Sequence, residues 1–178
     1  ASEPVIAPEN MQRFDAVTVH PAVKKAIELI KADEANTLAE QKTITAIAAP
    51  PFKEKNRAED FLRRLSALGF SKTYIDREGN VIAQRPGRGN GPKLVVSAHL
   101  DTVFTEKTDL TIKEKEGRLY APRIGDDTRG LVEILSMARA LNATKIATVG
   151  DLWFVGTVGE EGLGDLRGVR ALFEDNKD

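Results

Sequence analysis

Apolar positions along the chain change period twice, from helical to extended and then to short apolar runs separated by one long helix. After His20-Pro21, Val23, Ala26, Ile27 and Ile30 recur at helical spacing, and Pro21 suits a first helical position. A second helical stretch over residues 37–48 should stop at Pro50-Pro51, where amide donors are missing and the preceding backbone is restricted. Ala58, Phe61, Leu62, Leu65 and Leu68 share one face of a helix over residues 54–68, with Gly69 as its C-cap. Residues 73–76 and 81–84 around an Arg77-Glu78-Gly79-Asn80 turn then predict a hairpin, and 110–115 with 118–121 around Gly117 predict a second. Between them, Leu94-Val95-Val96-Ser97-Ala98 reads as a strand covered on both faces that delivers His99. Leu131, Ile134, Leu135, Ala138 and Leu141 trace an amphipathic helix, and residues 152–158 read as another buried strand, ending just before Glu160-Glu161. Residues 1–19, polar and Pro-rich with no clear period, are expected to form an extended arm.

Composition adds mainly exclusions. With 178 residues, 41% apolar and 30% charged, the chain can build one domain with a hydrophobic core. Its 26 basic and 27 acidic residues leave a net charge of -1, so no global field favours nucleic acid or an anionic membrane, and neither partner is expected. Without Cys there are no disulfides, thiolate metal sites or Cys nucleophile. No apolar run is long enough to span a bilayer. The Ala1-Ser2-Glu3-Pro4 start leans towards a trimmed, exported protein.

Three carboxylate-rich segments, His99-Leu100-Asp101, Gly125-Asp126-Asp127 and Gly159-Glu160-Glu161-Gly162, fall where an apolar run stops or a helix begins. Each has an ordinary explanation. His-x-Asp recurs by chance, an Asp pair can cap a helix, and paired glutamates are common surface charge. Together they suit divalent-cation chemistry, because carboxylate oxygen and imidazole nitrogen are ligands for such ions and one carboxylate can bridge two of them. A ligand histidine also needs an orienting partner on its other nitrogen, and Asp101 is placed for that role.

The order Ala98-His99-Leu100-Asp101-Thr102-Val103, Ile124 to Gly130 and Thr157 to Gly164, preceded by Asp76 to Val81, resembles the M20 metallopeptidases. That resemblance implies an α/β fold, a mixed, mostly parallel sheet flanked by helices, and two zinc ions, with cobalt or manganese as substitutes. It also implies His99, Asp126 and Glu161 as metal ligands, Asp126 bridging, with Asp127 following it through an often cis peptide. Asp101 would orient His99. Glu160 would be the general base that deprotonates the bridging water and protonates the leaving amine. Thr128-Arg129 departs from the lysine-containing version of many relatives.

Family members are about twice as long and draw further ligands, a lid and a dimerisation surface from a later region. Asp165 lies too near Glu161 for the usual spacing, Asp175 and Asp178 stay open as candidates, and His20 is the only other histidine. The expectation is therefore that residues 20–178 are the N-terminal portion of a catalytic domain, inactive alone, from a parent that forms homodimers through its lid. The implied activity is hydrolysis of small peptides. An N-acyl amino-acid deacylase and an M28-type aminopeptidase are alternatives, and a non-catalytic assembly domain is another.

Overall fold

In the computed structural model, which describes residues 6–177, helices α1 (Pro8–Val19), α2 (Pro21–Ala32), α3 (Glu34–Thr45) and α4 (Lys55–Ser66) come first. Strands β1 (Lys72–Ile75), β2 (Val81–Arg85) and β3 (Leu94–His99) follow, then a small hairpin of β4 (Lys113–Lys115) and β5 (Arg118–Tyr120). Helix α5 (Thr128–Thr144), strand β6 (Leu152–Thr157) and helix α6 (Arg167–Asp175) complete the order.

The main sheet has four strands in the order β1-β2-β6-β3. It is mixed and flanked by helices, as expected, but it is not mostly parallel: β1 with β2 and β2 with β6 are antiparallel, and only β3 with β6 is parallel. Connection length explains the difference. A short turn can only return β1 antiparallel into β2, whereas the long excursion through α5 allows β6 to run alongside β3.

All of β6 is buried because it is interior to the sheet and both faces are covered. Phe154 joins Phe61, Leu65, Leu131 and Leu135 under α4 and α5, while Trp153 and Val155 pack with Ile82 and Leu172 on the opposite side. This is the two-residue alternation of a strand. Gly156 lets α4 approach, since an added Cβ there would lie 2.8 Å from Phe61 Cδ1.

Three expectations need correction. Strand β3 is not covered on both faces: it is the sheet edge, and Leu94 and Ser97 are exposed. Residues 8–19 form a helix rather than an extended arm, opened by Pro8 in the first turn. None of its residues is buried, so Met11, Phe14 and Val17 recur at helical spacing without joining the core. Residues 1–5 of the expected arm lie outside the described residues. The second hairpin is shorter than predicted because Asp109 Oδ1 accepts from Thr111 N and Oγ1, a local turn that replaces strand pairing. Among the described residues no helix is long and apolar enough to cross a membrane.

Candidate metal centre

Parallel neighbours end at the same edge of a sheet, and here that edge carries the acidic junctions. His99 lies in register with Thr157, and Leu100 N donates to Thr157 O at 2.7 Å, so the segments following β3 and β6 leave side by side. The start of α5 brings Asp126-Asp127 to the same place.

The two aspartates divide the readings that their sequence left open. Asp127 is the N-cap of α5: Oδ1 accepts from Gly130 N at 3.0 Å, and Oδ2 accepts from His99 N at 3.0 Å. Asp126 is exposed instead, with Oδ1 at 3.0 Å from His99 Nε2. The peptide joining them is cis. Burial pushes the Asp127 carboxyl up, while the His99 and Gly130 amides pull it back only in part.

Asp101 is fully buried and its carboxylate grips main chain rather than ring. Oδ1 accepts from Glu160 N at 2.9 Å and Oδ2 from Glu161 N at 2.8 Å. The contact that orients His99 comes from the Asp101 carbonyl, 3.0 Å from Nδ1, with the nearer carboxylate oxygen at 3.7 Å. A carbonyl only accepts, so Nδ1 carries the proton and the lone pair of a neutral ring falls on Nε2, the atom that faces Asp126. Burial opposes the charge on Asp101, but the His99 ring and the two amides outweigh it and hold the carboxyl below its usual range. Asp101 is therefore a positioning residue.

The donor set fits a divalent cation. Ligand atoms of His99, Glu160 and Glu161 all lie within 4.8 Å of one another. One imidazole among clustered carboxylates leaves a local deficit of positive charge. Burial alone would lower the His99 pKa, yet Asp101, Asp126 and Asp127 hold its proton up to about 9. Burial also raises the Glu161 carboxyl, and Glu160, Asp126 and Asp101 add to this by repulsion. An imidazole with several carboxylate oxygens is a ligand set for zinc or a similar borderline ion. The other acidic candidates are engaged elsewhere: Asp165 pairs with Arg170 and Asp175 with Arg77, while His20 caps α2. Asp178 lies outside the described residues.

Residues 95–178 match the profile of peptidase family M20/M25/M40. This segment belongs to that family. A protein of Pyrococcus abyssi named as a LysW-lysine/LysW-ornithine hydrolase is 33% identical over 135 residues, covering 74% of this chain and 34% of the relative. Its namesake in Pyrococcus furiosus is 27% identical over 121 residues, covering 68% and 33%. Human carnosine dipeptidase 1 shares the fold with a TM-score of 0.72 at 15% identity, over 87% of this chain and 38% of that one. A Staphylococcus aureus tripeptidase does so with 0.63 at 23% identity, over 78% and 40%. The chain spans about a third of the length of the curated relatives it matches.

Two residues outside the M20 segment hold it in shape, and neither was among the site residues expected from the sequence, although Asn80 lies in the predicted turn. Arg57 is fully buried on α4, giving Nη1 to Leu100 O at 2.9 Å and Nε and Nη2 to Ile47 O at 3.1 and 2.7 Å. Its signal was present: it lies four residues before Phe61, on the apolar face of the helix. Asn80 is fully buried in the turn after β1, and its Oδ1 accepts from Val158 N at 3.0 Å. Its Nδ2 donates to Asp76 Oδ2 at 2.8 Å and to Gly168 O at 2.9 Å, tying the end of β6 to the start of α6 around the glutamates. Asn80→Ala strands these buried partners and should cost about 2–3 kcal/mol, read from urea melts. A loss under about 0.5 kcal/mol would show that the turn holds without it.

Proposed function

We propose that the full-length protein is a co-catalytic two-zinc hydrolase of peptide or amide bonds, cutting single residues from small peptides. The observation that supports this most directly is the convergence of His99, Glu160 and Glu161 within 4.8 Å, with Asp126 beside His99. His99, Asp126 and Glu161 would hold metal. When bound, zinc supplies polarisation of the scissile carbonyl and acidification of a water.

The residues divide the remaining work. Asp101 fixes the backbone of both glutamates, so adjacent carboxylates leave the same extended segment in different directions. Glu160 lies in the same 4.8 Å group as His99 and Glu161, but it is the more exposed of the two glutamates, so it is assigned to take a proton from the attacking water and return it to the leaving amine while Glu161 is left to the metal. An exo-type cut is in keeping with the dipeptidase and tripeptidase that share this fold.

Metal titration of the full-length protein tests the assignment. His99→Ala should weaken zinc binding by about 100-fold with the fold retained, since it removes the one imidazole from the cluster. A chelator should abolish dipeptide hydrolysis and zinc should restore it. Wild-type zinc affinity in His99→Ala, or hydrolysis indifferent to chelation, would sink the proposal.

A further inference from the structure

The bend that carries the two glutamates turns on Gly159, a buried glycine whose φ of +62° few other residues adopt without strain. Its neighbours are pinned on both sides. Val158 N donates to Asn80 Oδ1 at 3.0 Å and Val158 O accepts from Gly168 N at 3.0 Å, while Asp101 holds the amides of Glu160 and Glu161. Gly159 itself makes no hydrogen bond to another described residue, so its conformation depends on what packs against it. That neighbour is Arg167, the first residue of α6: a Cβ added at Gly159 would lie 2.7 Å from Arg167 Cγ and 2.8 Å from Nε.

Arg167 is held over the bend from two other elements. Nη2 donates to Glu54 Oε1 at 2.6 Å, just before α4, and Nη1 donates to Glu78 Oε1 at 3.3 Å, in the turn between β1 and β2. Glu54 is buried, and the same oxygen accepts from Phe52 N at 3.0 Å, which ties the loop entering α4 to the pair. The guanidinium carbon also lies 5.0 Å from the centre of the Phe52 ring, a cation–π distance. Arg167 Nε is buried and has no partner. An unpaired charged donor is costly, so nothing gained at Nε places the side chain over Gly159, and the two Nη pairs must hold it there. A buried ion pair adds little net stability, and its better use is to fix one arrangement.

We propose that Arg167 is a positioning residue for the glutamates: clamped by Glu54 and Glu78, its stem closes over Gly159 and fixes the directions in which Glu160 and Glu161 leave the bend beside His99. The assignment rests on the hydrolase reading and adds to it a residue that acts through the backbone rather than on the reacting atoms. Asp101 anchors the two amides, and Arg167 fills the space into which the backbone before them could turn.

The test uses the full-length protein carrying Glu54→Gln with Arg167→Met, which removes the clamp, leaves no buried carboxylate unpaired and keeps an oxygen for Phe52 N. In the metal-free protein, amide hydrogen exchange at Glu160 and Glu161 should quicken about 10- to 100-fold while residues 152–157 of β6 keep wild-type rates. Zinc affinity measured by calorimetry should fall about 10-fold, and Arg167→Lys, which keeps a cation on the stem, should retain most of it. With Ala-Ala as substrate, kcat should fall while KM stays near wild type. Exchange that quickens equally through β6 and the bend, or wild-type zinc affinity in the double variant, would reduce Arg167 to a stabilising residue and overturn the assignment. Glu78→Gln removes only the partly exposed arm of the clamp and spares the fold if the double variant does not. It should quicken exchange at the same two amides about 2- to 5-fold, and wild-type rates there would also overturn the assignment. Turnover and zinc binding by wild type are scored separately: their absence counts against the hydrolase reading, whereas exchange in the metal-free protein decides the role of Arg167 in either case.

Discussion

Glu160→Ala in the full-length protein should lower turnover by about 10²- to 10⁴-fold while zinc content stays near the wild-type value. The substitution removes a carboxylate and spares the peptide that holds the site. Glu160 N still donates to Asp101 Oδ1, and Glu161 N to Oδ2, so Glu161 keeps its place beside His99. What disappears is the exposed group able to carry a proton between water and leaving amine. The measurement is kcat with metal analysis on the same sample. Unchanged turnover would end the general-base assignment, and a parallel loss of zinc would move Glu160 from proton carrier to ligand.

Asp101→Asn should be the most damaging change to stability, at about 3–5 kcal/mol, because a buried charged acceptor of two amides becomes a group that can satisfy only one. The amide nitrogen must face a backbone N–H, so Glu160 or Glu161 loses its anchor. Acid should erase the difference. The folded-state carboxyl of Asp101 sits below its usual range, so its stabilisation is fully present above the unfolded pKa of about 4 and is lost as pH falls through the lower folded value. Urea melts of wild type and variant should be widely separated at pH 7 and draw together as pH falls below the unfolded carboxyl range of about 4. A gap under about 1 kcal/mol at pH 7 would mean that the two amides find other acceptors.

What could be read from the sequence was whatever burial and chain order express locally. Phe61 and Leu65 on α4, Leu131 and Leu135 on α5, and the apolar run of β6 carry the periods of their elements, and each is buried as those periods require. The acidic junctions were legible because charge ended those runs. The β1–β2 hairpin was legible too, but the place of β6 between β2 and β3 was not, since none of these strands encodes which distant neighbour it will meet. Helix α1 was missed for a different reason: Met11, Phe14 and Val17 do recur at helical spacing, but Pro4, Pro8 and the polar residues around them pointed to an extended arm. Asn80 and Asp101 work through backbone atoms far along the chain, at Val158, Gly168, Glu160 and Glu161, and residue type alone gives no hint of such partners. The Asp pair could not be split in advance, because capping and metal ligation call for the same side chain and only the fold gives Asp127 to Gly130 and Asp126 to His99.

Asp101 and Asp127 make their bonds to the amides of Glu160, Glu161 and His99 within the protein itself. The cluster is thus preorganised by the polypeptide, and an arriving ion meets side chains whose main-chain anchors are already ordered. Little of its binding free energy is then consumed in restricting the chain, which separates this arrangement from small zinc domains that fold only around their metal.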